Sequence, residues 1–209
     1  MRLAVKICGM NSPANIREIS SLSPDYLGLI FHRPSPRNAR GLDPKELSPF
    51  FGKVKFVGVF VNMPLEELKT VADSYGLAAV QLHGDESPAY CKALRDSGYE
   101  VWKAVGVETA EDMEGLAEYA ACVDRIVLDR KSAARGGTGQ KFDWKLLDSY
   151  PLAVPFMLGG GIGPEDSEAI AGLRHPSLAG IDLNSRFESS PGIKNFKLLD
   201  EFLHKIKES

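Results

Sequence analysis

The chain has 209 residues, 44% of them hydrophobic and 25% charged, with a formal net charge of −3 and a pI near 5.9. That size buries a substantial core, while the charge balance supplies no basic field for nucleic acid or an anionic membrane surface. No apolar run approaches the length of a membrane span, and Cys8, Cys91 and Cys122 are too few and too far apart for a disulfide framework or a zinc site, which predicts a reducing cytoplasm.

The first element is a strand, "LAVKIC", residues 3–8. Lys6 and Cys8 stand two apart on it and share a face. Read alone, Cys8 is a small core hydrophobe. The following "CGMNSP" lacks the GxGxxG turn of a dinucleotide-binding fold. Further strands are read at "YLGLIF" and "KFVGVFV", then a helix over "PLEELKTVADSYG" with Pro64 in its first turn and Gly76 as its C-terminal cap. The alternation continues with "AAVQLH", helical "SPAYCKALRDSG", "VWKAV", helical "TAEDMEGLAEYAA", "RIVLD", "PFMLG", helical "GPEDSEAIAGL" and "GIDLN". The last stretch, "IKNFKLLDEFLHKIKE", places Phe196, Leu199, Phe202, Leu203 and Ile206 on one helical stripe suited to core packing.

Strands this apolar, without clean alternation, fit a parallel sheet buried on both faces. Eight of them separated by helices predict an α/β fold: a single compact (β/α)8 TIM barrel over residues 1–209, with eight parallel strands and no linker or second domain. Such barrels place their chemistry at the C-terminal ends of the strands. Those ends carry Cys8, His32, Arg37, Asn62, His83, Asp129, the glycines of "LGGGIG" and the polar run "DLNSR".

The two segments after strands seven and eight, "LGGGIGPED" and "LNSRFESSPG", lie where barrels frequently bind phosphate through backbone N–H groups. Each alone reads equally as a turn. Asp129, opposite strand one, reads as a turn former or, partly desolvated, as a general acid. Cys8 complements it as a base if positive charge lowers its pKa. Lys6 and Lys103 admit a different chemistry, Schiff-base formation, or the plain task of neutralising carboxylates. A phosphate-binding barrel without activity is a third possibility, which the presence of both Cys8 and Asp129 counts against.

Taken together, "KICGM", "QLHGDE", "LDRK...GGTGQKFDW", "LGGGI" and "GIDLNSRFESSPGIK" resemble phosphoribosylanthranilate isomerase, in order, from residue 4 to about residue 199. The resemblance implies a (β/α)8 barrel that performs an Amadori rearrangement in tryptophan biosynthesis, with no cofactor or metal and a phosphorylated aminosugar as its small-molecule substrate. It implies Cys8 as general base and Asp129 as general acid. Arg37, otherwise a solvated loop residue, would meet the anthranilate carboxylate, and His83 would line the pocket or serve a structural role. Gly160, Gly161, Asn184 and Ser185 match the phosphate segments, and 136–140 ("GGTGQ") match a loop that closes over substrate. Arg186 departs from the pattern, which favours glycine or alanine there; a cation would crowd the phosphate, pair with it or point away. A histidine-pathway aminoaldose as second substrate is disfavoured, because those barrels use paired aspartates. The acid–base pair predicts a bell-shaped pH profile with Cys8 on its acidic limb and Asp129 on its alkaline limb, an order that reverses if the reactive form is the minority state.

Overall fold

The computed structural model describes residues 2–131 and 141–208. The expected loop at 136–140 lies outside the described residues. Eight parallel strands close a barrel in chain order: β1 Ala4–Ile7, β2 Tyr26–Ile30, β3 Lys55–Phe60, β4 Ala79–Leu82, β5 Val101–Val107, β6 Arg125–Arg130, β7 Phe156–Leu158 and β8 Leu178–Leu183. Each expected strand is present. The barrel closes through β1 and β8, with Lys6 paired in register to Asp182 and Ile7 to Leu183.

The strands read as continuous apolar runs because both faces are covered. One face, including Leu27, Leu29, Val80, Ile126 and Leu158, packs outward against the helical layer. The other converges on the axis, where Tyr26, Val57, Ala79, Trp102, Ala104, Val127 and Met157 form a separate buried cluster with Ala4 against it. Side chains on a strand alternate with a period of two, so the inward files continue upward from that cluster. Ala4 leads to Lys6 and Cys8, Ala79 to Gln81 and His83, and Val127 to Asp129. The same periodicity puts Asp182 and Asn184 on the inward file of β8. The apolar floor therefore gives way to polar groups at the C-terminal rim.

The outer layer contains α1 Pro13–Ser20, α2 Leu65–Ser74, α3 Pro88–Asp96, α4 Ser167–Gly172 and α5 Phe196–Glu208. Helix α2 follows Pro64 and ends ahead of Gly76, whose φ of +58° closes the turn. In α5, Leu199, Phe202 and Leu203 are buried and Phe196 and Ile206 pack against the core, as the stripe predicts. The expected helix over "TAEDMEGLAEYAA" is instead a 3₁₀ stretch, Ala110–Tyr119, entered through a capping box at Thr109. Gly115 at its centre weakens the α form, and Glu111, Asp112, Glu114 and Glu118 have no cation within the segment to pair along it. "GPEDSEAIAGL" divides into a 3₁₀ turn, Pro164–Asp166, and the short α4. A feature not read from sequence is a small antiparallel hairpin after β8, β9 Glu188–Ser190 and β10 Ile193–Lys194. No helix among the described residues is long and apolar enough to cross a membrane.

Candidate active site

At the C-terminal rim, one cavity is lined by Cys8, His32, Arg37, Gln81, His83, Asp129, Gly160, Gly161, Asp182, Asn184 and Ser185, among others. The catalytic and binding residues named from the resemblance, Cys8, Asp129, Arg37, His83, Gly160, Gly161, Asn184 and Ser185, are thus brought to a single place. Asn62 is not. Its amide N–H donates to Glu86 Oε1 at 2.8 Å and its side chain ties to Asp85, which locks the loop after β3. A larger groove of about 830 Å³ opens at the other end of the barrel, near Leu3, Leu22, Leu178 and Ile206. It carries none of the convergent rim groups, so size does not locate the chemistry.

Cys8 follows β1 with its thiol in the cavity wall, only 4% exposed. It fits because β2 carries a glycine opposite: a methyl at Gly28 would sit 2.6 Å from Cys8 Sγ. Burial pushes the thiol above its ordinary value even though Lys6 and Lys194 favour the thiolate. The condition set for Cys8 as a base, a pKa lowered by nearby positive charge or donors, is therefore not met: desolvation outweighs the cations. Lys6 itself is fully buried and meets Asp182 Oδ2 at 2.6 Å. Burial alone would lower its pKa, but Asp182 and Cys8 leave it raised.

Asp129 ends the inward file of β6, which is three strands from β1 through β7 and β8. It faces Cys8 obliquely across the cavity with Asp182 of β8 between them. Burial raises its pKa, against the backbone N–H of Arg130, which donates to Oδ1 at 2.7 Å, and the charge of Lys6. His83 Nε2 lies 3.5 Å from Asp129 Oδ2. Burial, with the charges of Lys103 and Lys6, holds His83 down to about 4. The imidazole is thus neutral near pH 7 and gives Asp129 no counter-charge. A carboxyl so placed is able to keep a proton and deliver it.

The strand-seven and strand-eight segments supply donors. Gly160 and Gly161 adopt φ of +76° and +77°. Among the described residues, no hydrogen bond engages the N–H of Gly160, Gly161 or Ser185. Unpaired backbone donors beside a cavity suit an anion. Gly160 also makes room for the acid, since a methyl there would lie 2.9 Å from Asp129 Oδ1. Asn184 turns its Oδ1 to Lys194 Nζ at 2.7 Å. Arg186 points away from the cavity and meets Glu165 Oε1 at 2.9 Å, which resolves its three alternatives in favour of the last.

Gln81 and Asp182 line the cavity but were given no role by the sequence, Asp182 entering it only as the first residue of the run "DLNSR". Among the described residues, Gln81 Oε1 and Asp182 Oδ1 are buried acceptors without a hydrogen-bond partner. Both sit two residues before a recognised rim residue, inside otherwise apolar strands, and that spacing was the available signal. Unpaired buried acceptors are costly unless a ligand donates to them.

The lysines are spent structurally. Lys103 is on the outward file of β5, with Nζ held by the carbonyls of Gly84 at 2.8 Å, Ala104 at 3.0 Å and Leu82 at 3.2 Å, and by Glu86 at 3.4 Å. Lys6 is consumed by Asp182. Removing one member of such a buried pair typically costs about 3–5 kcal/mol. Lys6→Met is accordingly expected to lower the unfolding free energy by about 3–5 kcal/mol, read as a lower urea midpoint, and an unchanged midpoint would show that the pair carries no such load. Cys91 and Cys122 are buried away from the cavity. His175 packs on Tyr150 and Phe156, and His204 is exposed on α5.

A family model described as N-(5'-phosphoribosyl)anthranilate (PRA) isomerase matches residues 5–205. The N-(5'-phosphoribosyl)anthranilate isomerase of Parabacteroides distasonis is 42% identical over 98% of this chain and 93% of its own. The solved phosphoribosyl anthranilate isomerase of Thermotoga maritima superposes with a TM-score of 0.84 at 31% identity, covering 100% of both chains. Another solved phosphoribosyl anthranilate isomerase, in complex with reduced 1-(o-carboxyphenylamino)-1-deoxyribulose 5-phosphate, has a TM-score of 0.81 at 28% identity, also over 100% of both chains.

Proposed function

The chain belongs to the N-(5'-phosphoribosyl)anthranilate isomerase family and isomerises that substrate in tryptophan biosynthesis, and from this premise we propose that Cys8 and Asp129 perform the reaction as general base and general acid. The observation that carries the reading is their convergence, from β1 and β6, on one cavity that also holds unpaired backbone donors.

Protonated Asp129 gives its proton to the ribose ring oxygen as the C1'–O bond breaks, and the anilino nitrogen lone pair forms the C=N bond of a Schiff base. The Cys8 thiolate removes the C2' proton; the electron pair left behind forms C1'=C2' and returns the nitrogen lone pair. The resulting enolamine loses its enol proton and gains one at C1', giving 1-(o-carboxyphenylamino)-1-deoxyribulose 5-phosphate with no net change in atoms. Gly160, Gly161 and Ser185 hold the phosphate through their N–H groups, with Asn184 shaping the segment beside them. Gln81 and Asp182 accept from ribose hydroxyls, His83 lines the wall beside the acid, and Arg37 meets the anthranilate carboxylate, which its planar fork suits. The reading takes residues 1–209 as one catalytic barrel working in the cytoplasm without a cofactor, and the net charge of −3 supports a partner that is neither nucleic acid nor membrane.

Titration with the reduced product analogue tests the placement. Amide NMR signals of Cys8, Asp129, Gly160, Gly161 and Ser185 are expected to shift while those of Leu203 and Ile206 stay; the opposite pattern would move the site to the other end of the barrel. Ser185→Asp sets a carboxylate against the phosphate dianion. It is expected to raise KM at least tenfold, or about 1.4 kcal/mol, with a smaller effect on kcat. An unchanged KM in the folded variant would remove the strand-eight segment from the phosphate site.

A further inference from the structure

Behind the cavity wall, and reaching it through Arg37, lies a buried ion cluster that the steps above leave unexplained. Arg37 Nε donates to both oxygens of Glu188, at 2.9 and 3.0 Å, and Nη2 donates to Oε2 at 2.7 Å. Glu188 also accepts from Lys194 Nζ at 2.6 Å and from the N–H of Gly192 at 3.1 Å. Glu188 and Lys194 sit opposite one another in the β9–β10 hairpin. The Lys194 side chain is fully buried, while those of Glu188 and Arg37 are 5% and 14% exposed.

Burying three charges is expensive unless the geometry is used for something. Burial alone would raise the pKa of Glu188, but Arg37 and Lys194 hold its carboxyl below the usual range. With both cations charged, one carboxylate faces them and the cluster has one positive charge in excess. Its outlet is Arg37, which lines the cavity. A guanidinium has five donors, and Glu188 takes Nε and one edge of Nη2. Among the described residues no hydrogen bond or ion pair engages Nη1. The unoccupied Nη1–Nη2 edge is a fork for a single planar carboxylate.

We propose that Glu188 is a positioning residue for the reaction: it fixes the Arg37 guanidinium so that the free Nη1–Nη2 edge receives the anthranilate carboxylate, and Lys194 in turn fixes Glu188. A long arginine side chain left free would lose rotamer freedom at each binding event; the hairpin imposes that order before substrate arrives. This rests on the reading that Arg37 takes the carboxylate.

The test compares kcat/KM for N-(5'-phosphoribosyl)anthranilate with that for N-(5'-phosphoribosyl)aniline, which lacks only the carboxylate. Arg37→Ala is expected to collapse the wild-type preference for the carboxylated substrate. Glu188→Gln is expected to lower the preference at least tenfold, chiefly through KM, and to add little in the double variant. A Glu188 that merely staples the loop would slow both substrates alike and leave the preference intact. If Glu188→Gln does not fold, Glu188→Asp retains the charge, draws it back by one methylene and should show a partial loss. A wild-type preference in folded Glu188→Gln, or in Glu188→Asp, overturns the proposal while Arg37→Ala still loses its own. A wild-type preference in Arg37→Ala overturns the Arg37 reading and the proposal together.

Discussion

Asp129→Asn is expected to lower turnover by about a hundredfold to ten-thousandfold, the usual contribution of a general acid, with affinity for phosphorylated substrate close to wild type. The substitution is nearly isosteric. An asparagine Oδ1 still accepts from the N–H of Arg130, as Asp129 does at 2.7 Å, and the tight approach of Gly160 is preserved. What disappears is the acidic proton. Asp129 has its pKa raised by burial, so its protonated form is accessible as a donor to the ring oxygen. An amide cannot protonate that oxygen, and ring opening must then draw on solvent. Stopped-flow fluorescence of the anthranilate group measures the loss directly, and titration of the reduced product analogue measures the retained affinity. Turnover near wild type would strip Asp129 of its role and direct attention to another group on the rim.

Cys8→Ser is expected to lose at least as much. Serine fits the space beside Gly28, but a hydroxyl ionises far less readily than a thiol in the same buried wall. The thiol already ionises reluctantly, since burial raises its pKa despite Lys6 and Lys194. This also decides the pH profile. Burial raises both from their ordinary values of 9.0 for the thiol and 3.8 for the carboxyl; the profile expected when these groups keep the order of their ordinary values has the carboxyl ionising first. The reactive pair, thiolate with protonated carboxyl, is then a minority form. Below the Asp129 pKa, added acid depletes the thiolate; between the two values the gains and losses cancel; above the Cys8 pKa the thiolate is complete and the acid form keeps falling. The profile remains bell-shaped, with its acidic break at the Asp129 pKa and its alkaline break at the Cys8 pKa, the reverse of the order expected from sequence. A thiol-specific probe of Cys8 ionisation should therefore titrate with the alkaline break. Titration with the acidic break would restore the original order.

The barrel was legible because buried parallel strands leave apolar runs that no other element imitates over eight repeats, and the period of two then carried "LAVKIC", "AAVQLH" and "RIVLD" from an apolar floor to a polar rim. Lys6 and Cys8 share a face for that reason, and Gln81 with His83 and Asp182 with Asn184 repeat the pattern. The helix over 109–121 misled because periodicity reports which face is buried and not how tightly the backbone winds; Gly115 and a run of carboxylates with no cation inside the segment left it 3₁₀. The grip of Glu188 on Arg37 was invisible, since 151 residues separate the partners and only barrel closure brings the β9–β10 hairpin to the loop after β2. The pKa of Cys8 was equally hidden. Cations two residues away are readable in a sequence, whereas the desolvation that outweighs them is a property of the packed wall.

The central claim, that Cys8 removes the C2' proton, is tested most directly by single-turnover isomerisation of substrate carrying deuterium at C2', followed by anthranilate fluorescence in wild type and folded Cys8→Ser. The account predicts a single-turnover rate at least a hundredfold lower in Cys8→Ser, with a full primary isotope effect, because proton removal becomes the step that limits the variant. A Cys8→Ser enzyme that converts the protiated substrate at the wild-type rate, with an isotope effect showing that proton removal limits both enzymes, would contradict it and return Cys8 to the status of a small buried residue at the end of a strand.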